Sequence, residues 1–269
     1  MTLGRSCLWA VTACWVFSVL MTGCALPPPA NGDTKDRMTE SDQTDASKRA
    51  NVRMELASAY FSRGQLTTAL DEVKQALAVN PNLGEAYNLR GLIYAGLNDD
   101  LMAQESFRRA LQINPSDGDS MHNYGWYLCQ QKRYDEAEAL FTSAVALPQY
   151  LGTSRTMLTS GICQARSGKW AEAENTLSKA YERDPANPAT AVNLAEVLLH
   201  RGEAERARFY IRRVNAVANQ SNAQTLWLAA RIEMKLGNRQ AANEFGLQLR
   251  NRFPQSRESS AFDRGQFNE

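Results

Sequence analysis

The sequence has few of the residues from which catalytic and metal sites are built. Among its 269 residues are only two histidines, His122 and His200, too few for a site that needs several imidazoles. It contains no glycine-rich phosphate loop and no HExxH, GxSxG or CxxC motif. We therefore expect no enzymatic activity, no catalytic residue, no cofactor and no bound metal.

An excess of charge of one sign is also missing. The 30 Lys and Arg residues nearly balance the 29 Asp and Glu residues. A nucleic-acid-binding protein normally carries a basic surplus on one face, so this class is not expected. Hydrophobic residues make up 43% of the chain, which is enough for a continuous core.

The N-terminus has the layout of a secretory signal peptide. Arg5 precedes an uncharged apolar stretch from Cys7 to Met21, which ends in the small residues Thr22 and Gly23. We assign residues 1–23 to this signal. The alternative is a transmembrane anchor helix, although the stretch is short for a span, which needs about 20 apolar residues.

The end of this segment, Leu-Met-Thr-Gly-Cys24, resembles the lipobox of bacterial lipoproteins. That resemblance implies diacylation of the Cys24 thiol, cleavage before it and acylation of the new amine. The residue after the cysteine is Ala25 and not an aspartate. In such lipoproteins this pattern implies sorting to the outer membrane. Several acyl chains hold a domain on a bilayer because each buried methylene contributes about 0.8 kcal/mol.

Residues 24–49 are rich in Pro, Asp, Thr and Ser and poor in apolar residues. Such a segment buries too little surface to fold by itself. We interpret it as an acylated, flexible tether that reaches about 25–30 Å from its attachment point.

The body of the chain is a series of repeats. Pro81 and Pro115 end similar phrases and lie 34 residues apart, which is the tetratricopeptide period. Small and large residues recur in phase with them. This pattern resembles the tetratricopeptide repeat and predicts an all-α superhelical solenoid of about six helical hairpins over residues 50–258. The units are predicted to start near residues 50, 84, 118, 154, 188 and 223, with a tail at 259–269.

The recurring residues have structural roles. Small residues such as Gly91, Gly125 and Gly161 let the first helix of a hairpin, helix A, approach the second, helix B. Glycines are predicted in left-handed backbone at the hairpin turns; these are Gly64, Gly168, Gly202 and Gly237. Between the third and fourth units the spacing grows by two residues, so we expect a longer loop there.

The concave groove of such a solenoid is lined mainly by helix A and is the predicted binding surface. Several groove positions carry large apolar residues, which suit an extended or helical segment of a partner, although neighbouring helices can also cover them. The repeat frame places Met54, Phe61, Asn88, Leu92, His122, Trp126, Cys129, Arg155 and Leu158 there. Trp126 and Phe61 are the expected anchors, because aromatic residues dominate interface hot spots.

Cys129 and Cys163 fall on the A helices of adjacent units. A disulfide between them is possible in an oxidising compartment. Two separate buried thiols are the alternative, and the sequence leaves both open.

Several phrases resemble one family more closely than a generic repeat. The most specific is His122-Asn-Tyr-Gly-Trp-Tyr-Leu-Cys129, followed by Arg133-Tyr134 and Glu136-Ala137. With the lipobox and all six units, it is similar to the PilF/PilW family of type IV pilus biogenesis lipoproteins. The resemblance implies a pilotin, lipid-anchored to the outer membrane through Cys24 and facing the periplasm, and we expect it to be a monomer. Its partner would be the pilus secretin subunit, whose localisation and multimerisation it would promote.

Two other functions compete with this one. A periplasmic lipoprotein scaffold for cell-wall enzymes would use the same anchor and the same groove, and the proteins recovered with it would distinguish it. An envelope enzyme would need a convergent cluster of polar residues, which the sequence does not indicate.

Overall fold

The computed structural model of the chain describes residues 45–267, all of whose regular elements are helices. The predicted signal peptide, Cys24 and most of the predicted tether lie outside these residues. Twelve helices form six consecutive A/B hairpins, and a thirteenth follows. The hairpins are α1 (Asp45–Ser62) with α2 (Leu66–Val79), α3 (Gly84–Gly96) with α4 (Asp100–Ile113), and α5 (Gly118–Gln130) with α6 (Tyr134–Ala146). They continue with α7 (Thr153–Arg166) and α8 (Trp170–Arg183), α9 (Pro188–His200) and α10 (Ala204–Asn215), and α11 (Ala223–Lys235) and α12 (Arg239–Arg252), before α13 (Arg257–Asp263).

Small residues set the distance between the two helices of a hairpin, as the sequence predicts. A Cβ atom added to Gly91 would lie 2.7 Å from the Phe107 ring, and one added to Gly125 would lie 2.7 Å from the Phe141 ring. Both rings are fully buried. Glycine is therefore required because the aromatic ring of helix B occupies the place of its side chain.

The hairpin turns need one residue in left-handed backbone. The glycines predicted for this role have positive φ in four of the six units, with φ from 73° at Gly64 to 80° at Gly202. In the second and third units Asn98 and Lys132 take the same position, each with φ of 60°. Asparagine tolerates this conformation, whereas for lysine it costs about 1–2 kcal/mol in conformational energy.

The two kinds of helix form two layers with different spacing. Each A helix contacts the A helix of the next unit, from α1 through to α11. Successive B helices in the described chain have no Cα atoms within 8 Å of each other. An inner layer in contact and an outer layer that is spread apart make a curved array, with the A helices on the concave face.

The connection between the third and fourth units is longer than those before it, as expected. It covers residues 147–152, whereas the preceding one covers 114–117. Tyr150 fills the extra space, since a Cβ added to Gly118 would lie 2.6 Å from its ring. The connection before α11 is long as well, at residues 216–222, which the sequence did not suggest.

Both ends of the array differ from the predicted boundaries. Helix α1 begins at Asp45, inside the segment assigned to the tether, because residues 45–50 include good helix formers and an acidic first residue. At the other end, α13 crosses the predicted boundary at residue 258. Its Phe262 packs against Gly246 of α12 and near the Trp227 ring, so α13 covers the apolar side that the last unit would otherwise expose.

Candidate functional site

The concave face carries a discontinuous apolar stripe built from five residues of four A helices. Met54, Phe61, Leu92, Trp126 and Leu158 are all half-buried. Each packs against one of the buried clusters between hairpins while part of its surface stays accessible. The stripe is therefore anchored in the core at every position and offers apolar contact area on the concave side.

Trp126 is held in place by a cation. The guanidinium carbon of Arg166, at the end of α7, lies 4.8 Å from the centroid of the indole ring. A cation over an aromatic face contributes about 0.5–1 kcal/mol at an exposed site. The ring thus keeps its orientation before any partner arrives, which lowers the entropy cost of binding.

Polar contacts also link successive A helices. The Nδ2 group of Asn123 in α5 donates a hydrogen bond of 3.2 Å to Oδ1 of Asn88 in α3. Both side chains are half-buried. Asn88 is one of the predicted groove residues, and Asn123 is a neighbour that the sequence did not single out.

His122 differs from the expectation. The repeat frame predicts it to be a groove residue, but only 8% of its surface is exposed. Its Nδ1 atom lies 2.9 Å from the Thr156 hydroxyl, which in turn lies 3.0 Å from the Tyr150 hydroxyl. The imidazole therefore bonds to a hydroxyl of the next unit, which Tyr150 of the connection holds in turn, and His122 has a structural role between α5 and α7.

The environment of His122 keeps it neutral. The pKa of the imidazole is lowered from 6.5 to about 4, mainly by burial and also by the positive charge of Arg155, while Asp119 opposes the shift. Arg155 itself is exposed and forms an ion pair with Asp119 at the rim of this cluster. Exposed pairs of this kind contribute little to stability, so the Arg155 side chain is accessible to a partner.

Cys129, another predicted groove residue, is buried as well. The structure joins it to Cys163 in a disulfide, with the two Cα atoms 5.9 Å apart. Both residues are almost fully buried. The bond connects α5 to α7 and spans the junction where the repeat spacing changes.

The concave face continues into a second region that sequence reasoning missed. A hollow of about 450 Å³ lies between α9, α11 and the chain after α13. Leu199, His200, Arg231, Met234, Lys235, Gly265 and Phe267 line it. The predicted groove residues ended in the fourth unit, and continuing the repeat frame into α9 and α11 would have reached these positions.

This hollow is polar where the N-terminal stripe is apolar. Arg231 is largely buried and forms a 2.9 Å ion pair with Glu196, and its Nε atom has no partner in the described chain. The His200 ring stacks on the Trp170 ring at a centroid distance of 4.2 Å and an angle of 8°. The concave face therefore changes along its length from apolar to charged, a gradient that can orient a bound segment.

Within residues 45–267, no group of three or more His, Cys, Asp or Glu side chains has the geometry of a metal site. None of the helices in this range is long and apolar enough to cross a membrane. Cys24, the predicted lipid attachment site, lies outside the described residues.

Comparison with protein families identifies the repeats. Models described as tetratricopeptide repeat match residues 164–231, 106–139 and 84–117, and one described as TPR repeat matches residues 57–98. Between them they cover parts of all six hairpins.

Comparison with individual proteins gives matches over most of the chain. The chain is 27% identical to the type IV pilus assembly protein PilF of Pseudomonas aeruginosa over 248 residues, which is 92% of this chain and 95% of that protein. The crystal structure of PilW, described as a widely conserved type IV pilus biogenesis factor, is 33% identical, with a TM-score of 0.74 over 79% of this chain and 97% of PilW. The structure of P. aeruginosa PilF is 25% identical, with a TM-score of 0.72 over 82% of this chain and all of that one.

Proposed function

We infer that this protein is a non-catalytic adaptor in type IV pilus biogenesis, because the chain belongs to the tetratricopeptide-repeat family of the pilus biogenesis factors PilW and PilF. More specifically, we propose that it is a pilotin. In this role it binds the pilus secretin subunit in the periplasm and promotes its localisation and assembly in the outer membrane.

The observation that carries this proposal is the apolar stripe on the concave face. Its five side chains are fixed by packing against the core and are still partly accessible. A stripe of this kind fits an extended or helical polypeptide segment better than a small molecule, because the accessible area is spread over four successive A helices. The family makes a component of the pilus machinery the natural partner.

We further propose that separate parts of the chain attach the protein to the membrane and bind its partner. Acyl chains on Cys24 would hold the protein at the outer membrane, while the groove holds the secretin subunit. The chain between Cys24 and α1, which begins at Asp45, would then set how far the bound subunit lies from the bilayer.

The test measures binding of the purified full chain to the secretin subunit. Trp126→Ala and Phe61→Ala each remove an aromatic side chain from the stripe and are expected to weaken binding at least tenfold, as hot-spot residues do. Phe209→Ala is the matched control, since Phe209 is an exposed aromatic residue on the outer helix α10. Loss of affinity in the control alone, or unchanged affinity in both stripe variants, would refute the assignment of the groove.

A Cys24→Ser variant tests the anchor separately. We expect it to bind the secretin subunit as tightly as the natural chain does but to leave the outer-membrane fraction of cells. Secretin multimers should then decrease or be found elsewhere. Normal secretin assembly with the protein released from the membrane would favour a scaffold for cell-wall enzymes instead.

A further inference from the structure

A second hollow lies in the second unit, away from the concave stripe. It has a volume of about 340 Å³ and is formed by α3 and the exposed side of α4. We call it the arginine hollow. Its lining residues are Tyr87, Arg90, Glu105, Arg108, Arg109 and Gln112, and none of them belongs to the groove.

One residue of the hollow is unusual for its place in the repeat. Arg90 directly precedes Gly91, the small residue that lets α3 approach α4. The residue that precedes the corresponding small residue is Leu56, Tyr124 and Leu194 in the first, third and fifth units, and Ser160 in the fourth. The second unit thus places a charged side chain where the first, third and fifth units carry an apolar or aromatic one.

A buried serine holds the Arg90 guanidinium in place. Ser106 is fully buried, and its hydroxyl donates a 2.6 Å hydrogen bond to the carbonyl of Met102 while accepting one of 2.9 Å from Nε of Arg90. This arrangement uses only Nε. Neither terminal nitrogen of Arg90 has a hydrogen-bond acceptor among residues 45–267, so both are available to a ligand.

Tyr87 keeps two guanidinium groups close together. Its ring centroid lies 4.7 Å from Cζ of Arg90 and 5.8 Å from Cζ of Arg109. Both distances are within the range in which an aromatic ring attracts a cation. The ring offsets part of the repulsion between the two positive charges without neutralising either.

None of the three arginines of the hollow forms an ion pair within the described residues, although the charge of Arg108 helps to lower the pKa of the Glu136 carboxyl. Arg108 and Arg109 bond only to the amide oxygens of Gln104 and Gln112, at 3.3 and 3.5 Å. No carboxylate oxygen in residues 45–267 lies within 4 Å of any of the three guanidinium groups. Many other arginines of the chain do form ion pairs, as Arg133 does with Glu136. Three guanidinium groups and the single carboxylate of Glu105 leave the hollow with a formal charge of +2.

We propose that the arginine hollow is a binding site for a phosphate group. A phosphate monoester carries a charge of about −1.5 to −2 near pH 7, which matches the unpaired positive charge. Guanidinium groups bind tetrahedral oxyanions through paired N–H donors. A single carboxylate would neutralise only half of the charge and would fill less of the space. The phosphate is either a free ion or part of a lipid headgroup.

Binding of inorganic phosphate and of glycerol 3-phosphate to the full chain, measured by calorimetry in an uncharged detergent, tests the proposal. Arg90→Leu introduces the residue type found at Leu56 and Leu194, and Arg109→Gln changes only an exposed side chain. Both variants should bind phosphate at least tenfold more weakly. Arg183→Gln is the matched control, because Arg183 is an exposed arginine at the end of α8 with no ion pair in the described chain, and it should bind as the natural chain does.

Two results overturn the proposal. One is phosphate binding that is undetectable, or equally strong in the natural chain and in Arg109→Gln. The other is a glutamate-rich peptide that binds more tightly than phosphate and is lost in the same two variants, which would make the hollow a carboxylate site. Micelles containing phosphatidic acid identify the source: arginine-dependent binding much tighter than that of inorganic phosphate supports a lipid headgroup, and equal binding supports the free ion.

Discussion

At the scale of single residues, His122 shows that a residue at a predicted groove position can be buried and have a structural role instead. The frame places it among the groove residues, yet its ring is buried and bonds to the Thr156 hydroxyl, which in turn contacts the Tyr150 hydroxyl. Thr156 belongs to the next unit and Tyr150 to an irregular connection. His122 and Thr156 are 34 residues apart on adjacent A helices, but the place of Tyr150 depends on the irregular connection, so the sequence alone could not predict the burial.

The depressed pKa of His122 predicts a dependence of stability on pH. The folded imidazole has a pKa of about 4, below its ordinary value of 6.5, so the unfolded chain binds more protons between these two values. The contribution of His122 is complete above pH 6.5 and is lost as the pH falls toward 4. With allowance for solvent screening, we expect a loss on the order of 2 kcal/mol.

Urea unfolding between pH 7 and pH 4 measures this loss. His122→Gln retains hydrogen bonding toward Thr156 but does not titrate, so its stability should fall less steeply over the same range. Carboxylates titrate equally in both proteins and cancel in the comparison. Identical pH profiles for the two proteins would show that His122 is not the group responsible.

At the scale of the element, the hairpin turn was the most predictable feature. Glycine has no Cβ and takes left-handed backbone without strain, which is why Gly64, Gly168, Gly202 and Gly237 mark turns in the sequence and have positive φ in the structure. The turns at Asn98 and Lys132 carry no such signal. Their conformation is imposed by the packing of the two helices that they join.

Lys132 should therefore be a site at which glycine stabilises the protein. Lys132→Gly removes about 1–2 kcal/mol of left-handed strain and costs about 0.4–1 kcal/mol through the greater freedom of the unfolded chain. We expect a net gain of about 0.5 kcal/mol in the free energy of unfolding, measured by urea denaturation. Gly168→Ala is the reciprocal variant and should lose about 1 kcal/mol. A decrease in both variants would mean that Lys132 is not strained.

At the scale of the whole molecule, the sequence predicted the architecture but not its local irregularities. The fold follows from the phase of small, aromatic and proline residues, because each hairpin needs a neighbour to cover its apolar face. The arginine hollow includes Arg90, a charged residue at a place where the first, third and fifth units have an apolar or aromatic one. The hollow near Arg231 is lined in part by the chain after α13. Features that arise once in a repeat array leave no periodic signal.

The disulfide is the one covalent link across the described array. Replacing both cysteines, in Cys129→Ala with Cys163→Ala, should destabilise the protein by about 2–4 kcal/mol, since the bond restricts the unfolded chain. The midpoint of urea unfolding under non-reducing conditions measures the effect. The natural chain in the presence of a reductant should behave as the double variant does, and equal midpoints with and without the bond would contradict a stabilising role.

The same bond has a mechanical consequence. In an array whose units contact only their neighbours, a pulling force unfolds the chain one hairpin after another. The segment between Cys129 and Cys163 is excluded from that extension for as long as the bond is intact. At about 3.4 Å per extended residue, the 34-residue separation withholds about 110 Å of contour length. Under load, α6 and most of α7 would thus stay unextended in the middle of an otherwise extensible array.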